Sequence, residues 1–129
     1  MAAGAPPNPR TDFFSRNNDV DVIAHRGGNG QWPGETTYAF TRALQSHADV
    51  IEMDVWGTND DPPALVLMHS ADLGTTTDGT KRLPFCKYAD LQDLNAAYRW
   101  SPDGGETFPF ANSDPILRVA KLEEVLNEF

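Results

Sequence analysis

The stretch VIAHRGGNGQWPGET, residues 22–36, joins an apolar run to a glycine-rich loop. The run DVIAH, residues 21–25, predicts a short buried strand, because glycines end it abruptly. His25 and Arg26 stand where that strand ends. A histidine and an arginine at the end of a strand form either a chemical site or an ordinary turn. The other motifs of the chain are needed to distinguish these two interpretations.

The segments that follow predict alternating strands and helices. GETTYAFTRALQSHA, residues 34–48, has helical spacing, and Thr36 or Thr37 would cap the helix. Two further apolar strands, two further helices and the loops between them complete the pattern: strands DVIEMDVW (49–56) and ALVLMH (64–69), helices YADLQDLNAAY (88–98) and KLEEVLNEF (121–129). Strands that alternate with helices favour a parallel α/β fold. In this alternating pattern the last helix should be followed by another strand. The sequence ends at that helix, so we expect the chain to be truncated.

The composition excludes several classes of protein. The chain has 129 residues and a formal net charge of −9, which argues against binding to nucleic acid or to an anionic membrane. We expect no stable membrane insertion, because no segment approaches the roughly 20 apolar residues of a span. Residues 1–20 are predicted to be an irregular tail without a signal peptide, which slightly favours a cytoplasmic location. The single cysteine, Cys86, is expected to be buried.

Each of the three strands carries a residue of a functional type at or near its C-terminal end. Glu52 and Asp54 alternate along the second strand, so they are expected to point the same way, beside an apolar flank. Two adjacent carboxylates need a cation or basic side chains to neutralise them, and oxygen ligands suit Mg²⁺ or Ca²⁺. His25 ends the first strand and His69 ends the third, and active sites form at this edge of parallel α/β folds.

Each of these residues also has a plain structural interpretation. Alternating acids usually mark a solvated face of a strand, and a histidine such as His69 is most often hydrogen-bonded and partly buried. The three tryptophans are interpreted as packing residues, although Trp32 lies in the loop after His25 and would suit the wall of a pocket. What favours function is the constellation of two histidines, one arginine and two carboxylates at one rim.

The motifs together resemble those of the glycerophosphodiester phosphodiesterase family. AHRGG followed by WPGETTYAF is similar to the opening motif of that family, and ADVIEMDVWGT is similar to its Glu-x-Asp strand. LVLMHSADLGTTTDGT resembles the strand and loop of its second histidine, and AAYRWSPDGGETFPF and VAKLEEVL resemble later segments of one bacterial branch. The resemblance extends from about residue 21 to the end, so residues 21–129 are identified as a partial domain of this family.

The resemblance implies a fold and a reaction. The family fold is a (β/α)₈ TIM-type barrel, which needs about 250 residues, so this chain would be its N-terminal part. The implied reaction is hydrolysis of a small glycerophosphodiester to glycerol phosphate and an alcohol. His25 and His69 would be the acid/base pair, Arg26 would bind the phosphate, and Glu52 and Asp54 would bind a divalent cation, Mg²⁺ or Ca²⁺. The nucleophile is either water or a neighbouring hydroxyl of the substrate.

Three positions depart from the family pattern. In a gapless match, Gly34 replaces the glutamate of the Pro-Glu-Asn-Thr motif and Glu35 lies one place later. Ser70 replaces an aspartate, and Thr75 stands where an arginine is expected. In addition, the third carboxylate ligand of the family's metal site lies on a strand that follows the last helix, and this strand is absent from the sequence. Two alternatives therefore stay open: a non-catalytic module that binds a phosphodiester or a cation, and a lysophospholipase D whose apolar mouth includes ETFPF, residues 106–110.

Overall fold

The computed structural model describes residues 20–129, so the predicted tail lies outside the described residues apart from Val20. Residues 20–129 contain four short strands and two α-helices. In chain order they are β1 (Ile23–Ala24), α1 (Thr37–Gln45), β2 (Val50–Ile51), β3 (Val55–Gly57), β4 (Leu65–Leu67) and α2 (Leu122–Glu128). Short 3₁₀ turns at His25–Gly27, Leu73–Thr75, Leu83–Phe85 and Tyr88–Leu91 supply most of the remaining regular structure.

The first unit is the strand–helix–strand arrangement that the sequence predicts. β1 and β2 are parallel, with Ile23 paired to Val50. Between them, α1 begins after Thr36, whose hydroxyl accepts a hydrogen bond from the backbone N–H of Ala39 at 3.2 Å. This bond satisfies one of the free donors at the helix start, so the predicted cap is confirmed. The helix buries Phe40 completely.

The third and fourth strands correct the prediction of a parallel sheet. β3 and β4 pair in antiparallel register, with Val55 opposite Leu67. The connection between them, residues 58–64, contains no helix. A parallel partner would need a crossover of about a dozen residues or more, whereas an antiparallel partner needs only a short loop. The hairpin also brings the strand ends together, because the N–H of Met68 donates to the carbonyl of Asp54 at 3.1 Å.

β4 lies at the centre of the core because both of its faces are covered. Val66 and Met68 belong to one buried cluster, whose other members are Leu73, Leu83, Cys86, Leu91 and Val119. Leu67 faces the opposite way and packs with Phe40 of α1 and Val125 of α2. A strand that is buried on both faces has a continuous apolar sequence, which is what LVLM provides. Cys86 is buried as predicted.

The predicted helix over residues 88–98 is wrong. Only Tyr88–Leu91 forms a 3₁₀ turn, and the chain then continues as turns. The buried Asn95 explains the difference: its side chain accepts from the N–H of Ala97 and donates to the carbonyl of Phe110 at 2.7 Å. An asparagine that bonds nearby backbone in this way competes with helix formation.

The final helix is present, but its apolar side chains are only partly covered. Val125 is buried, whereas Leu126 is 66% exposed and Phe129 is 46% exposed. Within the described residues, the helices are too short or too polar to cross a bilayer.

Candidate active site

His25 and Arg26 lie on a tight turn that continues β1. Arg26 has φ +54°, and Gly27 and Gly28 follow with φ +75° and +92°. Gly27 also lies against α1, because a Cβ there would come within 2.6 Å of the Phe40 ring. Glycine is therefore required at Gly27 both for its conformation and for its packing. The two glycines thus permit the turn that directs the chain away from β1 directly after the His-Arg pair.

Glu52 and Asp54 lie between β2 and β3 and face the same turn. The backbone N–H of Arg26 donates to Oε2 of Glu52 at 2.9 Å, and His25 Nε2 lies 3.9 Å from the same oxygen. The Nε of Arg26 lies 3.2 Å from Oδ2 of Asp54. This ion pair is not aligned as a hydrogen bond, and both atoms are buried without a hydrogen-bond partner in the described part of the chain. Four of the predicted site residues thus meet at one place.

His69 stands apart from these four residues in side-chain contacts. It is exposed and lies two residues beyond the end of β4. The bond from Met68 to the carbonyl of Asp54 brings the residue before His69 next to the acidic pair. Among residues 20–129, no hydrogen bond or ion pair joins the His69 side chain to His25, Arg26 or the two acids. Its backbone position, one residue after the bond from Met68 to Asp54, places it beside the site.

Glu35 is the site residue to which sequence reasoning gave no role. It is only 7% exposed, and its Oε1 accepts a hydrogen bond from the N–H of Asp54 at 2.9 Å. Its own N–H donates to the carbonyl of Arg26 at 3.1 Å. Glu35 therefore fastens the end of the first loop both to the His-Arg turn and to the acidic pair.

Burial dominates the titration of Glu35. The pKa of Glu35 is raised from 4.5 to about 7, mainly by desolvation, and the neighbouring charges of Asp54 and Glu52 act in the same direction. The hydrogen bond from the N–H of Asp54 and the charge of Arg26 act in the opposite direction. The second oxygen, Oε2, is buried without a hydrogen-bond partner in the described residues. The site therefore contains a third carboxyl group, whose charge changes near neutral pH.

The departure at Gly34 has a steric cause. A Cβ at this position would lie 2.7 Å from the Cβ of Asn29 and 3.2 Å from the Cβ of Arg26. A glutamate at Gly34 would clash with the loop that holds Arg26 in place. The next residue, Glu35, has φ +60° and directs its carboxylate inward.

The donor set at this site suits a hard divalent cation. Glu52 and Asp54 offer carboxylate oxygens, which Mg²⁺ and Ca²⁺ prefer, and Oδ2 of Asp54 lacks a hydrogen-bond donor within residues 20–129. In the same range, however, no three His, Cys, Asp or Glu side chains are grouped closely enough to hold a metal ion. The carboxylate oxygens of Glu52 and Asp54 thus suit such an ion, and these two residues would supply two of its ligands.

Comparison with known proteins gives the family. Residues 25–129 match the model of the glycerophosphoryl diester phosphodiesterase family, so the chain belongs to that family. It is 33% identical over 109 residues to glycerophosphodiester phosphodiesterase 1 of Mus musculus, covering 84% of this chain and 30% of the relative. It is also 33% identical over 110 residues to a glycerophosphodiester phosphodiesterase of Bacillus subtilis, covering 84% of this chain and 36% of the relative. The chain thus spans about a third of the length of these relatives.

Solved structures show the same fold. The glycerophosphoryl diester phosphodiesterase domain of an uncharacterized Mycobacterium tuberculosis protein matches with a TM-score of 0.78 and 28% identity, over 87% of this chain and 40% of that one. An Oleispira antarctica phosphodiesterase in complex with the product sn-glycerol-3-phosphate matches with a TM-score of 0.66 and 28% identity, over 84% of this chain and 39% of that one. The predicted fold class, the N-terminal part of a TIM-type barrel, is confirmed.

Proposed function

We propose that the full-length protein hydrolyses glycerophosphodiesters to glycerol phosphate and an alcohol, with a divalent cation. The observation that carries this proposal is the convergence of His25, Arg26, Glu52 and Asp54 at the ends of neighbouring strands. A phosphodiester needs positive charge near its oxygens and groups that transfer protons near neutral pH. Family membership supports the same reaction.

Arg26 is the phosphate-binding residue of this proposal. A guanidinium presents several N–H donors in a plane that matches phosphate oxygens. Asp54 and Glu52 hold Arg26 through its side chain and its backbone, respectively. These contacts restrain Arg26 beside the acidic pair before substrate arrives, so less conformational entropy is lost on binding.

His25 and His69 divide the proton transfers. One imidazole accepts the proton of the attacking hydroxyl, and the other donates a proton to the oxygen of the leaving alcohol. The Nε2 of His25 lies 3.9 Å from Oε2 of Glu52, so the imidazole lies beside the acidic pair. The attacking group is either water or a hydroxyl of the substrate, and both need the same base.

Glu52 and Asp54 hold the divalent cation, Mg²⁺ or Ca²⁺. When bound, the cation stabilises negative charge on the phosphoryl oxygens. Glu35 does not touch the substrate in this proposal and acts as a positioning residue, because it binds the backbone on both sides of the site.

The test is release of glycerol 3-phosphate from glycerophosphocholine by the full-length protein, with Mg²⁺ or Ca²⁺ and with chelator. We expect His25→Ala and His69→Ala to lower kcat by about 10²-fold or more, in line with the usual contribution of a general acid or base. His47→Asn is the matched control, because His47 is exposed, lies outside the site and has φ +60°, a conformation that asparagine tolerates.

The outcomes separate the candidate functions. Turnover that is lost with chelator and in both histidine variants, but kept in the His47 control, supports the proposal. Full turnover in both histidine variants would refute the acid/base assignment. Binding of glycerophosphocholine by the folded protein without turnover would instead favour a non-catalytic phosphodiester-binding module.

A further inference from the structure

A cavity lies beside the loop that carries His25 and Arg26. It has a volume of about 410 Å³ and lies between the first loop, the loop after β4 and the loop that follows residue 98. Its walls include Asn29, Gly34, Thr76, Arg99, Trp100 and Phe108. Asn29 and Gly34 belong to the same loop as His25 and Arg26, and Gly34 lies directly against the stem of Arg26. The cavity and the His-Arg turn are therefore built on the same loop.

The charge of the cavity is opposite to that of the chain. The chain carries a formal net charge of −9, yet within residues 20–129 the cavity walls contain no aspartate or glutamate. Arg99 is their one charged residue in that range, and there its guanidinium has no hydrogen-bond or ion-pair acceptor and lies only over the ring of Tyr98, 5.7 Å from its centroid. An arginine that is not neutralised in an acidic protein favours an anionic ligand.

Hydrogen bonds and aromatic contacts hold the walls in place. The indole N–H of Trp100 donates to the carbonyl of Asn29 at 3.1 Å, and the backbone N–H of Arg99 donates to the carbonyl of Thr76 at 3.0 Å. Phe110 packs edge to face against both Trp100 and Tyr38 of α1. The cavity is thus formed before any ligand enters, which lowers the entropy cost of binding.

The rim of the cavity is a closed turn around Asp103. The carboxylate accepts from the Ser101 hydroxyl at 2.6 Å and from the Thr107 hydroxyl at 2.6 Å. These bonds, and those from the backbone of Thr107 and Glu106, hold the pKa of Asp103 well below its usual range. Both oxygens of Asp103 accept donors of its own loop, and among residues 20–129 no ion pair joins Asp103 to Arg99.

We propose that this cavity binds the alcohol portion of the substrate and that Arg99 selects alcohols that carry an additional phosphate group. The inference rests on the proposed function, since it assigns the substrate class of that site. The scissile phosphate lies at Arg26, the polyol of the leaving alcohol occupies the cavity beside Trp100 and Phe108, and its second phosphate meets Arg99 and the hydroxyl of Thr76. The volume lies within the usual range for small-molecule sites, about 300–1,000 Å³.

The test compares substrates that differ by one phosphate. Steady-state kinetics of the full-length protein are measured with glycerophosphoinositol 4-phosphate, with glycerophosphoinositol and with glycerophosphocholine. We expect the phosphorylated substrate to have the highest kcat/KM. Arg99→Ala should lower its kcat/KM by about 10–100-fold, mainly through KM, because one charge-assisted phosphate contact is lost. The same variant should change glycerophosphoinositol by less than about 2-fold, because that substrate lacks the charged group.

Further variants separate charge from packing. Arg99→Lys should retain part of the preference, since it keeps a point charge without the planar fork. Arg99→Glu should favour glycerophosphocholine, whose leaving alcohol is cationic. Arg82→Ala is the matched control, because Arg82 is an exposed arginine that does not line the cavity. This control should leave all three substrates unchanged.

Direct binding makes the test independent of turnover. Calorimetric titration with inositol 4-phosphate, the alcohol that would be released, should give binding to the unmodified protein and about 10-fold or weaker binding to Arg99→Ala. Equal kcat/KM for the two inositol substrates, or equal binding to the two proteins, would overturn the inference while leaving the hydrolase proposal intact. Absence of turnover with all three substrates would refute the hydrolase proposal instead, and the titration would still decide the role of Arg99.

Discussion

Replacing Glu35 by glutamine should remove a pH-dependent destabilisation of the folded protein. Burial raises the pKa of Glu35 from 4.5 to about 7, so the folded state binds this proton more tightly than the unfolded state. The contribution of Glu35 to stability is therefore fully present below about pH 4.5 and is lost as the pH rises through about 7. Glutamine keeps an oxygen that can accept from the N–H of Asp54, but it cannot ionise.

The magnitude follows from the two pKa values. A tenfold change in proton affinity corresponds to about 1.4 kcal/mol, so the difference between 4.5 and about 7 amounts to roughly 3 kcal/mol at pH 8. Glu35→Gln should thus be more stable than the unmodified protein by up to about 3 kcal/mol at pH 8 and nearly equal to it at pH 4.5. The acids Glu52 and Asp54 are present in both proteins, so their own titration largely cancels in the comparison.

The assay is urea unfolding of the full-length protein and the variant between pH 4.5 and pH 8, with chelator to remove divalent cations. Glu106→Gln is the matched control, because Glu106 is exposed and its side chain makes no hydrogen bond or ion pair among the described residues. The control should follow the unmodified protein at every pH. A constant difference between Glu35→Gln and the unmodified protein across this range would show that the Glu35 carboxylate does not oppose folding.

Three packing and capping predictions follow from the same fold. Thr36→Ala removes the cap of α1 and should lower the free energy of unfolding by about 1 kcal/mol in urea titrations, and unchanged stability would contradict the capping role. Leu67→Ala opens a cavity between the two helices and should cost about 2–5 kcal/mol, whereas a loss below about 1 kcal/mol would refute its placement in the core. Gly27→Ala should be destabilising, because the added methyl would meet the Phe40 ring at 2.6 Å; the combined variant with Phe40→Leu should recover part of the loss in thermal unfolding.

The local elements that depend on short-range patterns could be predicted from the sequence. The strand before His25, the helix capped by Thr36 and the final helix all follow from apolar spacing and one capping residue. The prediction that the first strand is buried is wrong, because Ile23 is 60% exposed. The pairing of β3 with β4 was missed because the apolar run was interpreted as one more parallel strand. The connection, residues 58–64, is too short for a crossover, so its length alone predicts that β3 and β4 pair in antiparallel register.

The predicted helix over residues 88–98 failed for a different reason. Its apolar spacing is real, and Leu91 and Ala97 are both buried. The spacing indicates which side chains face the core. It does not indicate the hydrogen bonds that the Asn95 side chain makes to the backbone, one of which reaches the carbonyl of Phe110, 15 residues away. A long-range bond of this kind overrides local helix propensity, and a single sequence carries no clear signal for it.

The meeting of His25, Arg26, Glu52 and Asp54 was accessible from sequence because strand ends in an α/β fold converge on one edge. The role of Glu35 was not accessible, because a gapless match assigns the acidic position to Gly34. The structure gives a physical reason for this shift by one residue. Steric crowding against Asn29 excludes a side chain at Gly34. Glu35 adopts a left-handed conformation, and its carboxylate accepts a hydrogen bond from the backbone N–H of Asp54. The site therefore keeps a buried acid on its first loop, one place later in the chain.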